Sequence, residues 1–208
     1  MGPRVTVMLA SLVIASCHDQ PLPPVGSSTT ETTSASLGTW QEVTSAWPQA
    51  SKNAVKEMTN KYGPPDEMTP THLFWKERGP WKASIVSREP VHHEWPSPHE
   101  DVLEQIISYR VPPEKMGELA RFDGSVMVDR TQGELSARCG GEAANFLALN
   151  LAKDILDGKR SVDDARKAYE RETKATRTNA QSMLMKGLLF AQQANAADTD
   201  VAALPPRD

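Results

Sequence analysis

The sequence predicts an α+β domain in which a small antiparallel sheet, made from two β-hairpins, packs with about five α-helices. Three observations carry this expectation. Apolar and polar residues alternate on either side of glycine-containing turns in two segments, 72–88 and 125–139. Elsewhere apolar residues recur every three or four positions, the helical period. The two kinds of segment are interspersed, with no internal repeat. A mainly helical domain with two peripheral hairpins fits the same pattern and is the alternative.

The elements follow in chain order. Trp40, Val43, Trp47, Ala50, Ala54, Met58 and Tyr62 share one face, which predicts a helix over 47–62. Ser45 is its candidate cap, Pro48 lies in its first turn, and Gly63-Pro64-Pro65 ends it. Residues 72–75 and 81–88 form the first hairpin around Arg78-Gly79-Pro80, with Trp81, Ala83 and Ile85 on one face. Three prolines argue against regular structure over 89–98. Val102, Leu103, Ile106, Ile107 and Tyr109 then suggest a helix beginning at Asp101, and Pro112-Pro113 opens a shorter one through Leu119 and Phe122. Residues 125–129 and 134–139 make the second hairpin, turning at Gly133. The most apolar helix spans 142–156 and stops at Gly158. Ser161-Val-Asp-Asp164 resembles a capping box for a last long helix that continues to Asn179 or beyond. Residues 183–190 are apolar enough to pack or to meet a partner.

The chain has 208 residues with a formal net charge of −4, and 38% of them are hydrophobic. This balance lacks the basic patch of a nucleic-acid binder, so no nucleic-acid partner is expected. It also gives no electrostatic adhesion to anionic lipid, so membrane attachment would need an anchor. The one continuous apolar run, 5–15, is too short to span a bilayer.

Arg4, that apolar run and the small residues after it have the layout of an export signal. The run ends Ile14-Ala15-Ser16-Cys17, which resembles the lipobox of bacterial lipoproteins. The resemblance covers residues 1–17 only. It implies a signal peptide over 1–16, cut before Cys17, and lipid (palmitate among the acyl chains) on that cysteine. A membrane held through this N-terminal anchor is then the first partner. It implies a place in the cell envelope facing the periplasm, with the outer membrane favoured over the inner because His18, not Asp, follows the cysteine. Residues 17–39 read as the lipidated start and a disordered Ser/Thr/Pro spacer, long enough to reach about 25 Å as a flexible coil. A single globular domain is expected over 40–194 and a disordered tail over 195–208.

The segment 92–101, His-His-Glu-Trp-Pro-Ser-Pro-His-Glu-Asp, gathers three of the five histidines. Imidazole and carboxylate suit zinc and related ions, so His92, His93 and His99 are the candidate metal ligands and a divalent metal the one candidate cofactor. The competing reading is a polar loop in which His99 or Asp101 caps the next helix. Trp75 and Trp81 flank the first hairpin turn and Trp95 lies in this loop; they could line a ligand or partner groove, or simply fill a small core. Cys139 precedes a helix, where a thiol can be activated, yet hairpin alternation groups it with Leu135 and Ala137 as a buried hydrophobe. Glu142, Asn145, Asn150, Lys153 and Asp154 fall on one side of the apolar helix; they could line a cleft, but a solvated face is the favoured reading. No phosphate loop, GxSxG, SxxK or CxxC is present. The expected function is therefore a non-catalytic binding module of the envelope, taking an envelope protein or a small ligand through 89–101 and the tryptophan hairpin. The alternative is a periplasmic hydrolase or metal-binding protein using His93 or His99.

Overall fold

The structure, a computed structural model, describes residues 38–176, 178 and 182–204. The expected signal peptide, the anchor at Cys17 and the spacer as far as residue 37 lie outside the described residues. The fold is α+β, as expected, and its centre is one six-stranded antiparallel sheet of order β1-β2-β3-β4-β6-β5. The strands are β1 (Glu67–Met68), β2 (His72–Arg78), β3 (Trp81–His93), β4 (His99–Ser108), β5 (Val126–Asp129) and β6 (Glu134–Cys139). The helices are α1 (Trp40–Thr44), α2 (Gln49–Tyr62), α3 (Met116–Phe122), α4 (Glu142–Leu156) and α5 (Val162–Thr176), with 3-10 turns at Pro113–Lys115 and Met183–Met185.

The largest departure from the expected order is β4. Residues 101–109 form no helix; they pair with β3 on one side and β6 on the other, joining the two hairpins into one sheet. Apolar residues at 102, 103, 106 and 107 satisfy a helical face, but β-branched residues at three of the four fit a pleated strand equally well. Two neighbouring edges decide the matter, because each residue of β4 can then satisfy its backbone groups. The three prolines of 89–98 are accommodated rather than excluded. Pairing between β3 and β4 shifts between Val86 and Val91, a bulge that contains Pro90 and spares it from the ladder. Pro96 and Pro98 lie in the turn between the two strands.

The helices cover one face of the sheet. The row Trp75, Ser84, Gln105, Ala137 faces them, and all four are buried. The row Phe74, Ile85, Glu104, Arg138 faces the other way and is half-buried. In β3 it is therefore Ser84 and Val86, not Ala83 and Ile85, that take the helix-covered side, while Trp81 at the strand's start stacks on Phe146 of α4, ring centroids 4.7 Å apart. One part of the core lies under α2, from Val55 and Met58 to Leu73, Val86 and Leu103. The other lies among α3, α4, α5 and the β4–β6 end of the sheet, around Ile107, Phe122, Leu135, Leu147, Leu151 and Tyr169.

Local signals account for several boundaries. Gly63 ends α2 at φ 81°, a left-handed conformation that favours glycine. At the start of α5 the Ser161 hydroxyl accepts the Asp164 N–H at 3.1 Å, the first half of the expected capping box, and itself donates to the Asp164 carboxylate at 2.7 Å. The apolar 183–190 segment does not continue that helix. Asn150 holds it against α4, its amide donating 2.8 Å bonds to the Leu184 and Gly187 carbonyls and its oxygen accepting from the Leu189 N–H at 2.8 Å. The stretch from Asn195, expected to fray, is fastened as far as Asp200. The Arg110 guanidinium donates to the carbonyls of Asn195, Ala196 and Ala197, Asp198 N–H donates to Thr131, and Arg130 pairs with Asp198 and Asp200. Gly133 (φ 67°) is required here, because a Cβ at that position would overlap the Ala196 carbonyl.

Candidate functional site

The bulge and the turn of the β3–β4 hairpin set the register His93↔His99 at its end. Cross-strand partners in an antiparallel pair project to the same face. The two imidazoles accordingly lie with ring centroids 4.9 Å apart. Asp101, two residues along β4 from His99, projects to that same face and is 1% exposed. His92, one residue from His93, points to the opposite face, where Glu94 and Glu100 flank its exposed ring at 3.0 and 3.1 Å. Of the three candidate metal ligands, the structure brings His93 and His99 together with Asp101 and leaves His92 out. Among the described residues, His93, His99 and Asp101 are the one His/Cys/Asp/Glu group with metal-ligand spacing, one donor atom from each lying within 4.8 Å of the others.

The loop from α3 to β5 closes this cluster from the other side. Asp123 Oδ1 accepts the Ser125 N–H at 2.8 Å, shaping an Asx turn, and lies 4.0 Å from His93 Nε2. The Ser125 hydroxyl donates to Asp101 Oδ2 and lies 3.4 Å from His93 Nδ1. The sequence does not single out Asp123, and it marks Ser125 only as the start of the second hairpin.

The electrostatics follow from burial and contact. Burial alone would raise the Asp101 carboxyl, but His99 and the Ser125 hydroxyl outweigh it and hold Asp101 below the usual carboxylate range. The Asp101 carboxylate in turn raises His99 above the ordinary imidazole value, against the effect of its partial burial. Asp123 is pushed up, chiefly by burial.

His99 also borders a cleft of about 380 Å³. Pro96 and Ser97 line it beside His99, with Ala144 and Leu147 from α4 and Tyr169 and Thr173 from α5. Apolar surface predominates in this lining, joined by the polar side chains of Ser97, His99, Tyr169, Thr173 and Thr176, and the volume is within the range of small-molecule sites. Glu57 stands on the rim, its carboxyl raised above the usual range mainly by burial.

The three candidate tryptophans divide. Trp75 is fully buried and its indole N–H donates to the Gly63 carbonyl at 2.9 Å, so it offers no surface to a ligand. Trp81 is likewise sealed, its N–H donating to Glu142 at 2.6 Å. Trp95 is half-buried, packed 4.8 Å from Tyr169 and edge-on to Phe122 at 6.2 Å, with the Arg166 guanidinium 3.9 Å over its ring. It fixes the hairpin turn onto α5 and so supports the cleft wall. Cys139 is 1% exposed, its thiol pushed up by burial and 3.7 Å from the Tyr169 hydroxyl, which suits packing and not nucleophilic attack.

The solvated face expected on α4 is not solvated at three of its five positions. Glu142, Asn145 and Asn150 are all buried. The Glu142 carboxylate accepts from Lys61, Tyr62, Trp81 and Gln105. Burial opposes its charge, but the bonds from Lys61, Tyr62 and Trp81 prevail and lower its pKa. Asn145 donates to the Leu103 carbonyl and to Gln105 Oε1, each at 3.0 Å. Glu142 and Asn145 clamp α4 to the sheet, and Asn150 clamps it to the 184–189 segment. Their spacing on one side of an otherwise apolar helix was visible, but not whether that side met water or the sheet. Comparison with known protein families, with characterised proteins and with solved structures finds no match for this chain.

Proposed function

We propose that the chain is an envelope lipoprotein, held at a membrane by lipid on Cys17, whose folded domain captures a small and mostly apolar ligand. The observation that carries the binding role is the cleft of about 380 Å³ between the Pro96–His99 wall and helices α4 and α5. The anchor rests on the lipobox-like Ile14-Ala15-Ser16-Cys17. Its accompanying fact is that no helix among the described residues is long and apolar enough to cross a membrane.

Two experiments test the two halves. The uncharged dye N-phenyl-1-naphthylamine should bind the protein saturably at one equivalent with enhanced fluorescence. Ala144→Phe, which places a ring in the cleft from α4, should reduce that signal at least about tenfold. Dye binding that is non-saturable, or unchanged in Ala144→Phe, would remove the binding role. Separately, Cys17→Ser should abolish palmitate labelling and release the protein from membranes, since stable anchoring needs the acyl chains. A variant still labelled and still sedimenting with membranes would overturn the anchor.

A further inference from the structure

We propose that His93, His99 and Asp101 form a binding site for a divalent transition-metal ion of the zinc class, at the end of the cleft that His99 borders. This goes beyond ligand capture and does not depend on it.

The donor set is the first argument. Two imidazoles and one carboxylate are nitrogen-rich and of intermediate softness, which favours zinc, cobalt or nickel over magnesium or calcium. The second is spacing. In a tetrahedral zinc site, bonds of about 2.0–2.1 Å place neighbouring donors about 3.3 Å apart. Here His99 Nε2 is 3.0 Å from Asp101 Oδ1, and His93 Nδ1 is 3.4 Å from Asp101 Oδ2. Each imidazole thus stands near that separation from one oxygen of Asp101, and one donor atom from each of the three residues lies within 4.8 Å of the others.

The third argument is the direction of the lone pairs. His99 Nδ1 lies 2.9 Å from the Ser97 carbonyl oxygen, which can only accept, so Nδ1 carries a proton. In the neutral ring Nε2 is then a bare lone pair, and it faces Asp101 Oδ1. That oxygen is buried and receives no aligned hydrogen bond, the 3.0 Å approach of His99 notwithstanding. A positive centre between these two atoms, whether a proton on Nε2 or a metal ion, satisfies both, and a metal ion would take the place of that proton. A metal-bound histidine whose other N–H is held by a backbone carbonyl has this arrangement. Ser125, donating to Asp101 Oδ2, plays the matching supporting part for the carboxylate. Three protein ligands leave a fourth position open, as in zinc sites that bind an exogenous group. His99 belongs to both the cluster and the cleft lining, which places the site beside the cleft.

The test uses the full chain without an affinity tag, stripped with chelator and dialysed. Titration with zinc chloride should show one equivalent bound, and cobalt(II) should give the intense visible bands of a tetrahedral site. His99→Ala and Asp101→Asn should each weaken zinc binding by at least about 100-fold, more than loss of a supporting partner costs. His92→Ala, on the far side of the strand, should leave it unchanged, and Ala144→Phe should still bind zinc. Absence of stoichiometric zinc binding by the wild-type chain would overturn the site. So would octahedral cobalt spectra, or binding that His92→Ala abolishes and His99→Ala spares. The wild-type cobalt spectrum keeps the test decisive even if a variant fails to fold.

Discussion

Replacing Glu142 with alanine is expected to destabilise the fold by about 3 kcal/mol, read as a shift of the urea midpoint at unchanged slope. The ion pair with Lys61 supplies little of this, because the lysine side chain is 48% exposed and water screens it. The loss comes from the donors left behind. The buried Trp81 indole N–H donates to this carboxylate and would be left unpaired, while the Gln105 amide loses its 3.4 Å bond to Glu142 but keeps Ser84 Oγ at 3.2 Å. Glu142→Gln keeps the shape and an acceptor, so it should cost about 1–2 kcal/mol. The two proteins should also differ in acid. Because the folded-state pKa of Glu142 is lowered, its contribution is present above its unfolded value and is lost as pH falls through the folded one. The stability gap between wild type and Glu142→Gln should therefore close as pH drops below about 4.5. A gap that persists there would mean that the charge is not what the site stabilises. Glu57, raised by burial, works in the other sense: its contribution is favourable in acid and lost as pH rises through its folded value.

Phe122→Ala should be the most disruptive single truncation near the candidate metal site, costing about 3–5 kcal/mol. Phe122 is fully buried at the end of α3, where its ring meets Trp95 at 6.2 Å and Tyr169 at 6.3 Å. Trp95 lies in the turn that joins the two histidine-bearing strands, and Asp123 is the next residue in the chain. The cavity left by the ring would therefore lie beneath both halves of the site. Phe122→Leu, closer in volume, should cost less than about 1.5 kcal/mol. Hydrogen exchange supplies a second readout. The Arg138 amide, which donates to the Ser125 carbonyl at 3.0 Å, should lose protection in Phe122→Ala before the amides of β2 do. Uniform loss of protection across the sheet would show instead that Phe122 supports the fold without any special hold on this loop.

Much of the fold was legible. The second hairpin reads directly because Val126–Asp129 and Glu134–Cys139 alternate around Gly133, and α4 reads directly because it is long and rich in apolar residues, ending before Gly158. The candidate site was legible in composition and only partly in membership. Residues 92–101 announce a concentration of imidazoles and carboxylates. Which of them converge depends on strand alternation, and alternation could not be applied to a segment that its prolines marked as irregular. Once β3 continues to His93 and β4 begins at His99, His92 must face away and Asp101 must face inward.

By itself the sequence determined the α+β class, both hairpin turns, the caps at Gly63 and Ser161, and the histidine-rich stretch, because each rests on chemistry confined to a few neighbouring residues. Tertiary structure alone decided that residues 99–108 are a strand, that Glu142, Asn145 and Asn150 are buried clamps, and that Asp123 and Ser125 reach the histidines. Those outcomes depend on partners far away in the chain. A strand is stabilised by the edges it finds on both sides, and a polar side chain is buried only where distant donors and acceptors meet it.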